Sequence, residues 1–276
     1  MENSNYLQNL HTHTTYCDGA DTPEQMVLAA IEKGFDSIGF SGHSYMYYSK
    51  YVQMTPEKTE KYRAEVAALK EKYRGKIDIY CGLEYDIYSD IDMSGYDYLI
   101  GSVHYLKRGD EFVGFDRGRE EVERVINTYF EGDGLKYAEA YYEALAELPR
   151  YGKFDIIGHF DIIAKHSDGI KFFDEDSEQY KKYVLEAADA LRGKIPLFEV
   201  NTGAIARGYR KTPYPTADII RELGRMGFGA CITSDCHDAR FLDCGFSDAE
   251  RMLRECGFKE KYILTSQGFV PVALRS

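Results

Sequence analysis

A chain of 276 residues with a net charge of −12, 44% hydrophobic and 29% charged, has ordinary globular composition and enough apolar material for a sizeable core. The acidic balance argues against a nucleic-acid partner, and no apolar run approaches the roughly 20 residues that span a bilayer. The N-terminal stretch MENSNYLQNL has neither the basic patch nor the apolar run of a secretory signal, so a cytoplasmic location is expected.

In chain order, Tyr6–Leu10 predicts a first strand. Thr22 as N-cap, Pro23 at the first helical position and the closing Lys33-Gly34 predict a helix over 23–33. A strand at Ser37–Phe40 precedes a highly charged helix over Pro56–Tyr73, whose charges read as a solvated face. Strands at Ile77–Cys81 and Tyr98–Val103 lead to a helical pattern over Glu120–Leu148. The strands Phe154–Ile157, Leu197–Val200, Ala230–Thr233 and Tyr262–Thr265 then alternate with helices over Ser177–Leu191, Ala217–Met226 and Asp248–Glu255. No repeat or linker interrupts this series, so residues 1–276 are expected to form one domain. Alternating strands and helices imply a parallel sheet with right-handed crossovers. Seven or eight such units in this length fit a closed α/β barrel better than an open sheet, with chemistry on the loops after the strands. The six cysteines contain no CxxC pair and read as reduced thiols.

Six of the seven histidines fall just after a predicted strand. His11 and His13 follow the first, His43 the second, His104 the fourth, His159 the fifth and His237 the seventh, while His166 lies further out. One histidine in such a place is usually a satisfied polar residue; six at one pole of a barrel are a pattern. The spacing of His11-Thr-His13 turns both rings to the same side of extended chain. Carboxylates join them at similar positions: Asp18 in a turn after the pair, Glu84 after the third strand, and Asp235, which alternates with His237. Imidazole with carboxylate is a ligand set for Zn, Mn or Fe, and too nitrogen-rich for Mg or Ca. Nine candidates exceed the needs of one ion and suit two or three, with carboxylates bridging. Burying so many ionisable groups without a metal would be costly.

The ordered series HTH, SGHS, GLE, GSVH, GHFD and SDCH, from Leu10 to His237, resembles the motifs of the PHP (polymerase and histidinol phosphatase) superfamily. The resemblance implies a distorted seven-stranded β/α barrel of the TIM type. It also implies a trinuclear centre held by His11, His13, Asp18, His43, Glu84, His104, His159, Asp235 and His237. Asp at position 18, where other branches carry His, is similar to the histidinol-phosphatase branch. The segment Glu199-Val-Asn-Thr with Arg207, Arg210 and Pro213-Tyr-Pro215 resembles that of monofunctional histidinol phosphatases. On that resemblance the expected reaction is hydrolysis of L-histidinol phosphate to L-histidinol and phosphate, a step of histidine biosynthesis.

The mechanism expected from these residues is in-line attack by a metal-activated hydroxide. A thiol mechanism through Cys17 or Cys236 lacks the C-x5-R phosphate loop. Asp161 is a candidate proton donor to the leaving alkoxide, or alternatively the orienter of a ligand imidazole. Arg207 is the leading candidate for a phosphate clamp, with Arg210, Lys165 and Arg240 as further cations. The tyrosine-rich insert Tyr45–Tyr51 and the loop Gly114–Arg117 are candidate walls for the organic part of a substrate. Two alternatives stay open: another small phosphomonoester or phosphotyrosine as substrate, and a metal-dependent amidohydrolase, which usually carries fewer ligands and a bridging lysine.

Overall fold

The computed structural model describes residues 6–49, 53–167 and 171–275. Its first half runs β1 (Gln8–Asn9), α1 (Pro23–Glu32), β2 (Ser37–Phe40), α2 (Pro56–Lys72), β3 (Asp78–Asp86), β4 (Tyr98–Ser102), β5 (Tyr105–Arg108), β6 (Glu111–Gly114), α3 (Arg119–Tyr129) and α4 (Gly134–Ala146). The second half runs β7 (Ile156–Ile157), α5 (Glu178–Leu191), β8 (Leu197–Asn201), α6 (Gly203–Ala206), α7 (Ala217–Arg225), β9 (Gly229–Thr233), α8 (Phe246–Glu255), β10 (Glu260–Thr265) and β11 (Gly268–Ala273). Local chemistry starts the helices where the sequence marks them. Thr22 and Gln25 form a capping box at α1, and Thr55, Asp133 and Ser177 cap α2, α4 and α5 through their side chains.

Seven of the eight predicted strands form one parallel sheet in the order β1-β2-β3-β4-β7-β8-β9. Just beyond the strand ends the sheet curls onto itself. The His13 amide donates to the Cys236 carbonyl at 2.8 Å, and the Cys236 amide to the His11 carbonyl at 3.0 Å. The result is a nearly closed seven-stranded barrel with helices outside it, the architecture expected from the sequence.

Inside the barrel, side-chain alternation builds layers. Leu10, Tyr80, Ile156, Leu197 and Cys231 form an apolar cluster with Tyr98 and Ile100. Further along the same faces, β3 carries Gly82 and then Glu84 after Tyr80, and β8 carries Glu199 and then Asn201 after Leu197. An apolar layer thus carries a polar one towards the C-terminal ends of the strands. Tyr98 crosses the interior over Gly39 and Gly82, where no side chain competes for its space. Its hydroxyl donates to the carbonyls of Leu10 and Phe40.

The eighth predicted strand, Tyr262–Thr265, does not join the barrel. It pairs antiparallel with β11 across the two-residue turn Ser266-Gln267, and Leu264 joins the apolar cluster inside the barrel. Antiparallel neighbours need only a tight turn, whereas a further barrel strand would need a crossover. Buried Gln8 holds this hairpin in both directions. Its Nε2 donates to the Leu264 carbonyl at 2.9 Å and to Ser37 Oγ at 2.6 Å, and its Oε1 accepts from the Leu264 amide at 2.7 Å. Gln8→Ala leaves those buried groups without partners and is expected to lower stability by about 1–3 kcal/mol, read from urea melts. A change below about 0.5 kcal/mol would reduce the hairpin to decoration.

The predicted helix over 120–148 is broken into α3 and α4. Glu131 and Gly132 take left-handed backbone (φ 59° and 79°), and Asp133 starts a new helix by accepting from the amides of Leu135 and Lys136. The β5–β6 hairpin was not foreseen in the sequence, and it forms one wall of the cavity described next.

Candidate metal centre and cavity

The polar layer at the C-terminal ends of the strands is dense in ionisable groups. Glu84, from β3 and 1% exposed, lies at its middle. One carboxylate oxygen, Oε2, lies 2.8 Å from His43 Nδ1, 3.4 Å from His11 Nε2 and 3.6 Å from His13 Nε2. The other, Oε1, lies 2.9 Å from His159 Nε2 and 3.3 Å from His104 Nε2. Asp235 Oδ1 is 3.2 Å from His13 Nε2, and Asp18 Oδ2 is 3.3 Å from His237 Nε2 and 3.6 Å from His43 Nε2. The structure therefore brings together all nine residues singled out in the sequence. Depth varies across the group: His11 and His13 are fully buried, whereas the side chains of Asp18 and His237 are 27% exposed and form its open edge.

Electrostatics shows how tightly these groups depend on one another. Burial opposes a charge on Glu84, but the His11, His104 and His43 imidazoles beside it hold its carboxyl well below the usual range. Burial likewise opposes a charged His11, and the Glu199, Glu84 and Asp235 carboxylates outweigh it and raise the ring well above its ordinary value. His13 goes the other way, down to about 3, because burial and then the neighbouring His237 and His43 disfavour a further cation. Protons and divalent cations compete for the same atoms in such a cluster.

The donor set fits metal ions. Three overlapping groups of ligand atoms lie close enough to hold one: His13 with Asp18, His43 and His237; His11 with His13 and Glu84; and His43 with Glu84 and His104. Independently, His11 Nε2, His13 Nε2 and Glu84 Oε2 are buried without a hydrogen-bond partner. Buried polar atoms are normally satisfied, so three orphans converging on one point mark a place built for a ligand.

Two carboxylates that the sequence reading did not assign hold this array in place. Glu199 Oε2 bonds His11 Nδ1 at 2.8 Å and accepts from Thr233 Oγ1 at 2.8 Å. Its Oε1 accepts from the His159 amide at 2.6 Å and from Asn201 Nδ2 at 2.8 Å. Asp86 Oδ2 accepts from the His104 amide at 3.0 Å and lies 3.3 Å from His104 Nδ1. Each fixes the far side of an imidazole whose near side faces Glu84, which sets ring orientation and tautomer. A signal was present in both cases: Asp86 lies two residues past Glu84 on the same strand face, and Glu199 stands in the quoted Glu199-Val-Asn-Thr segment.

A cavity of about 280 Å³ opens over the cluster, at the small end for ligand pockets. Asp18, His43, Glu84, His104, Asp235 and His237 form its floor, and Arg207 lines it from the end of α6. Arg207 Nη2 bonds Asp235 Oδ2 at 2.9 Å, and Nη1 bonds the Asp235 carbonyl at 3.0 Å. Gly203 makes room for this, since a Cβ there would stand 2.9 Å from Arg207 Nη2. Lys165 lines the cavity and pairs with Asp116 Oδ1 at 2.6 Å.

Three other candidates, Arg210, Asp161 and Arg240, lie apart from the cavity. Arg210 is not among the lining residues. It is buried 5.8 Å from the Tyr214 ring, with Nε and Nη1 unpartnered. Asp161 is fully buried outside the lining, with Oδ2 accepting the Thr216 amide at 3.1 Å. No hydrogen bond joins it to His159, whose Nδ1 is unpartnered. Arg240 is at the surface, paired with Asp238. Of the described residues of the tyrosine-rich insert, only Met46 lines the cavity. Tyr48 instead stacks on Phe112 of β6 at 3.9 Å, and Lys50 and Tyr51 lie outside the described residues. The loop Gly114–Arg117 does line it, with Tyr105 and Glu121. All six cysteines are free, and burial pushes the Cys17 thiol up, away from nucleophilic form. No helix among the described residues is long and apolar enough to cross a membrane.

Comparison with known proteins agrees with this picture. The PHP domain family matches residues 9–203, ending before Asp235 and His237. The chain is similar to a protein named probable histidinol-phosphatase from Deinococcus radiodurans, 30% identical over 265 residues that cover 91% of this chain and 94% of the relative. It is also similar to a protein named histidinol-phosphatase from Bacillus subtilis, 27% identical over 270 residues, 89% of this chain and 98% of the relative. In fold it resembles a histidinol phosphate phosphatase from Lactococcus lactis, solved with zinc, L-histidinol and phosphate. The TM-score is 0.74 at 21% identity, covering 96% of this chain and 98% of that one. The family match over most of the chain, on a barrel whose strand ends gather these imidazoles and carboxylates, means that the chain belongs to the PHP domain family.

Proposed function

We propose that this protein is a metal-dependent phosphomonoesterase that hydrolyses L-histidinol phosphate to L-histidinol and inorganic phosphate. The observation that carries the chemistry is Glu84, a buried carboxylate with an oxygen facing each of two imidazole groups, beneath a cavity that also presents Arg207 and Lys165. The substrate rests on the two relatives named histidinol-phosphatase, each matched over about nine-tenths of this chain. Two or three ions of Zn, Mn or Fe would be held by His11, His13, Asp18, His43, Glu84, His104, His159, Asp235 and His237. When bound, such ions supply the positive charge and the activated water that phosphate-monoester hydrolysis requires.

The chain's own residues then divide the remaining work. Arg207 brings a guanidinium to the phosphate side of the cavity, and its bonds to Asp235 fix its plane. Its Nε is buried without a hydrogen-bond partner. Lys165, held by Asp116, adds a second cation in a wall of an otherwise acidic protein. Glu199 and Asp86 keep His11 and His104 turned towards the floor, and the depth of His11, His13 and Glu84 limits bulk water around them.

Phosphate release from L-histidinol phosphate tests the reading. Stringent chelation is expected to reduce turnover at least about a hundredfold, and added Zn, Mn or Fe to restore it. Full activity in metal-free protein would overturn the metal assignment. Bound metal with turnover of other phosphomonoesters but none of L-histidinol phosphate would overturn the substrate.

A further inference from the structure

We propose that Glu121 is a specificity-determining residue whose carboxylate receives the ammonium group of the substrate; the proposal rests on the phosphatase reading above. Five carboxylates line the cavity: Asp18, Glu84, Asp116, Glu121 and Asp235. Four of them are answered by neighbours. Asp18 and Glu84 face imidazoles, Asp116 is paired with Lys165 at 2.6 Å, and Asp235 with Arg207 at 2.9 Å. Glu121 alone of the five has no cationic side chain or imidazole within 4 Å among the described residues. Its one hydrogen bond there comes from the Arg117 amide, which donates to Oε2 at 3.0 Å. Oε1 has no hydrogen-bond partner among the described residues.

The lining offers both signs of charge to a substrate that carries both. L-Histidinol phosphate carries a phosphate dianion on its terminal carbon, a primary ammonium on the next carbon and an imidazole beyond it. Of the cations that line the cavity, Arg207 and Lys165 are braced by carboxylates of the same cavity and suit the phosphate. An ammonium directed towards them would be repelled; directed towards Glu121 it meets a carboxylate held in place by a backbone amide. Tyr105 and Phe115, lining the same cavity, offer aromatic surface for the rest of the molecule.

A plainer role for Glu121 is to tie down the start of α3, where Gly118 provides no side-chain cap. Glu121→Gln separates the two roles, because the amide oxygen still accepts from Arg117 while the charge is gone. The measurement is kcat/KM for L-histidinol phosphate and for 3-(imidazol-4-yl)propyl phosphate, which differs in lacking the amine-bearing branch. In the variant the preference for the amine-bearing substrate is expected to fall roughly ten- to hundredfold, the size of one charge-assisted hydrogen bond. Equal changes on both substrates, or an unchanged preference, would overturn the proposal. Wild-type protein that turns over the amine-free phosphate as well as L-histidinol phosphate also overturns it, because no ammonium contact then contributes. Wild-type protein inactive on L-histidinol phosphate rejects the histidinol-phosphatase reading itself, and the proposal with it.

Discussion

Glu84→Gln is expected to fold normally, to lose bound metal on dialysis and to release phosphate at least about a thousandfold more slowly. Replacing a group that merely supports a metal ligand costs on the order of 10- to 100-fold. Glu84 is more central than that: five imidazole nitrogens lie between 2.8 and 3.6 Å from its two oxygens. The amide is nearly isosteric, so the barrel need not move, but it carries no charge and directs two N–H donors at those nitrogens. Metal content and single-turnover phosphate release, measured on the same preparation, check the prediction. Retained metal with activity within tenfold of wild type would remove Glu84 from the centre of the site.

Gly82→Ala is expected to destabilise the fold by about 3 kcal/mol without altering any ionisable group. A Cβ at position 82 would stand 2.3 Å from Tyr98 Cζ and 2.5 and 2.6 Å from the two Cε atoms. The ring has nowhere to swing. It is 1% exposed, enclosed by strands, and held at its hydroxyl by the carbonyls of Leu10 and Phe40. The added methyl group must push strands apart or force the ring from its rotamer. Denaturant melts of Gly82→Ala and of Gly82→Ala/Tyr98→Leu test this. The smaller side chain should make the alanine less damaging than it is beside tyrosine, a coupling between the two sites. A single variant within 0.5 kcal/mol of wild type would show that the interior has slack.

Much of this molecule is legible in the sequence because its chemistry and its scaffold share an address. Parallel strands buried on both faces read as apolar runs, and the residues that follow each run are carried to one pole. His43 after Ser37–Phe40 and His237 after Ala230–Thr233 could be placed without coordinates for that reason. What escaped notice depended on partners remote in sequence. Nothing local says that Glu199 bonds His11, 188 residues away. Arg210 and Asp161 carry chemistry suited to the cavity, but both are buried and neither lines it. Other misses had local signals that were overlooked. Gly109-Asp110 between Arg108 and Glu111 is a two-residue hairpin turn with Gly109 at φ 62°. Gly132-Asp133 is a helix stop followed by a helix start.

The bonds that curl the sheet into a barrel also impose an order on assembly. Gln8 meets Leu264 across 256 residues, and His11 and His13 meet Cys236 across more than 220. Such distant pairings come late, because the loop entropy must be overcome before the contact rewards it. On a ribosome the chain emerges from its N-terminus, so His11 and His13 are exposed long before Asp235 and His237 exist. The inner strands can pair as they appear, but the metal-binding array cannot be complete until β9 has been made and docked beside β1. Metal uptake would therefore report the closure of the barrel, and a chain stopped before residue 231 would have most of the helices and none of the finished site.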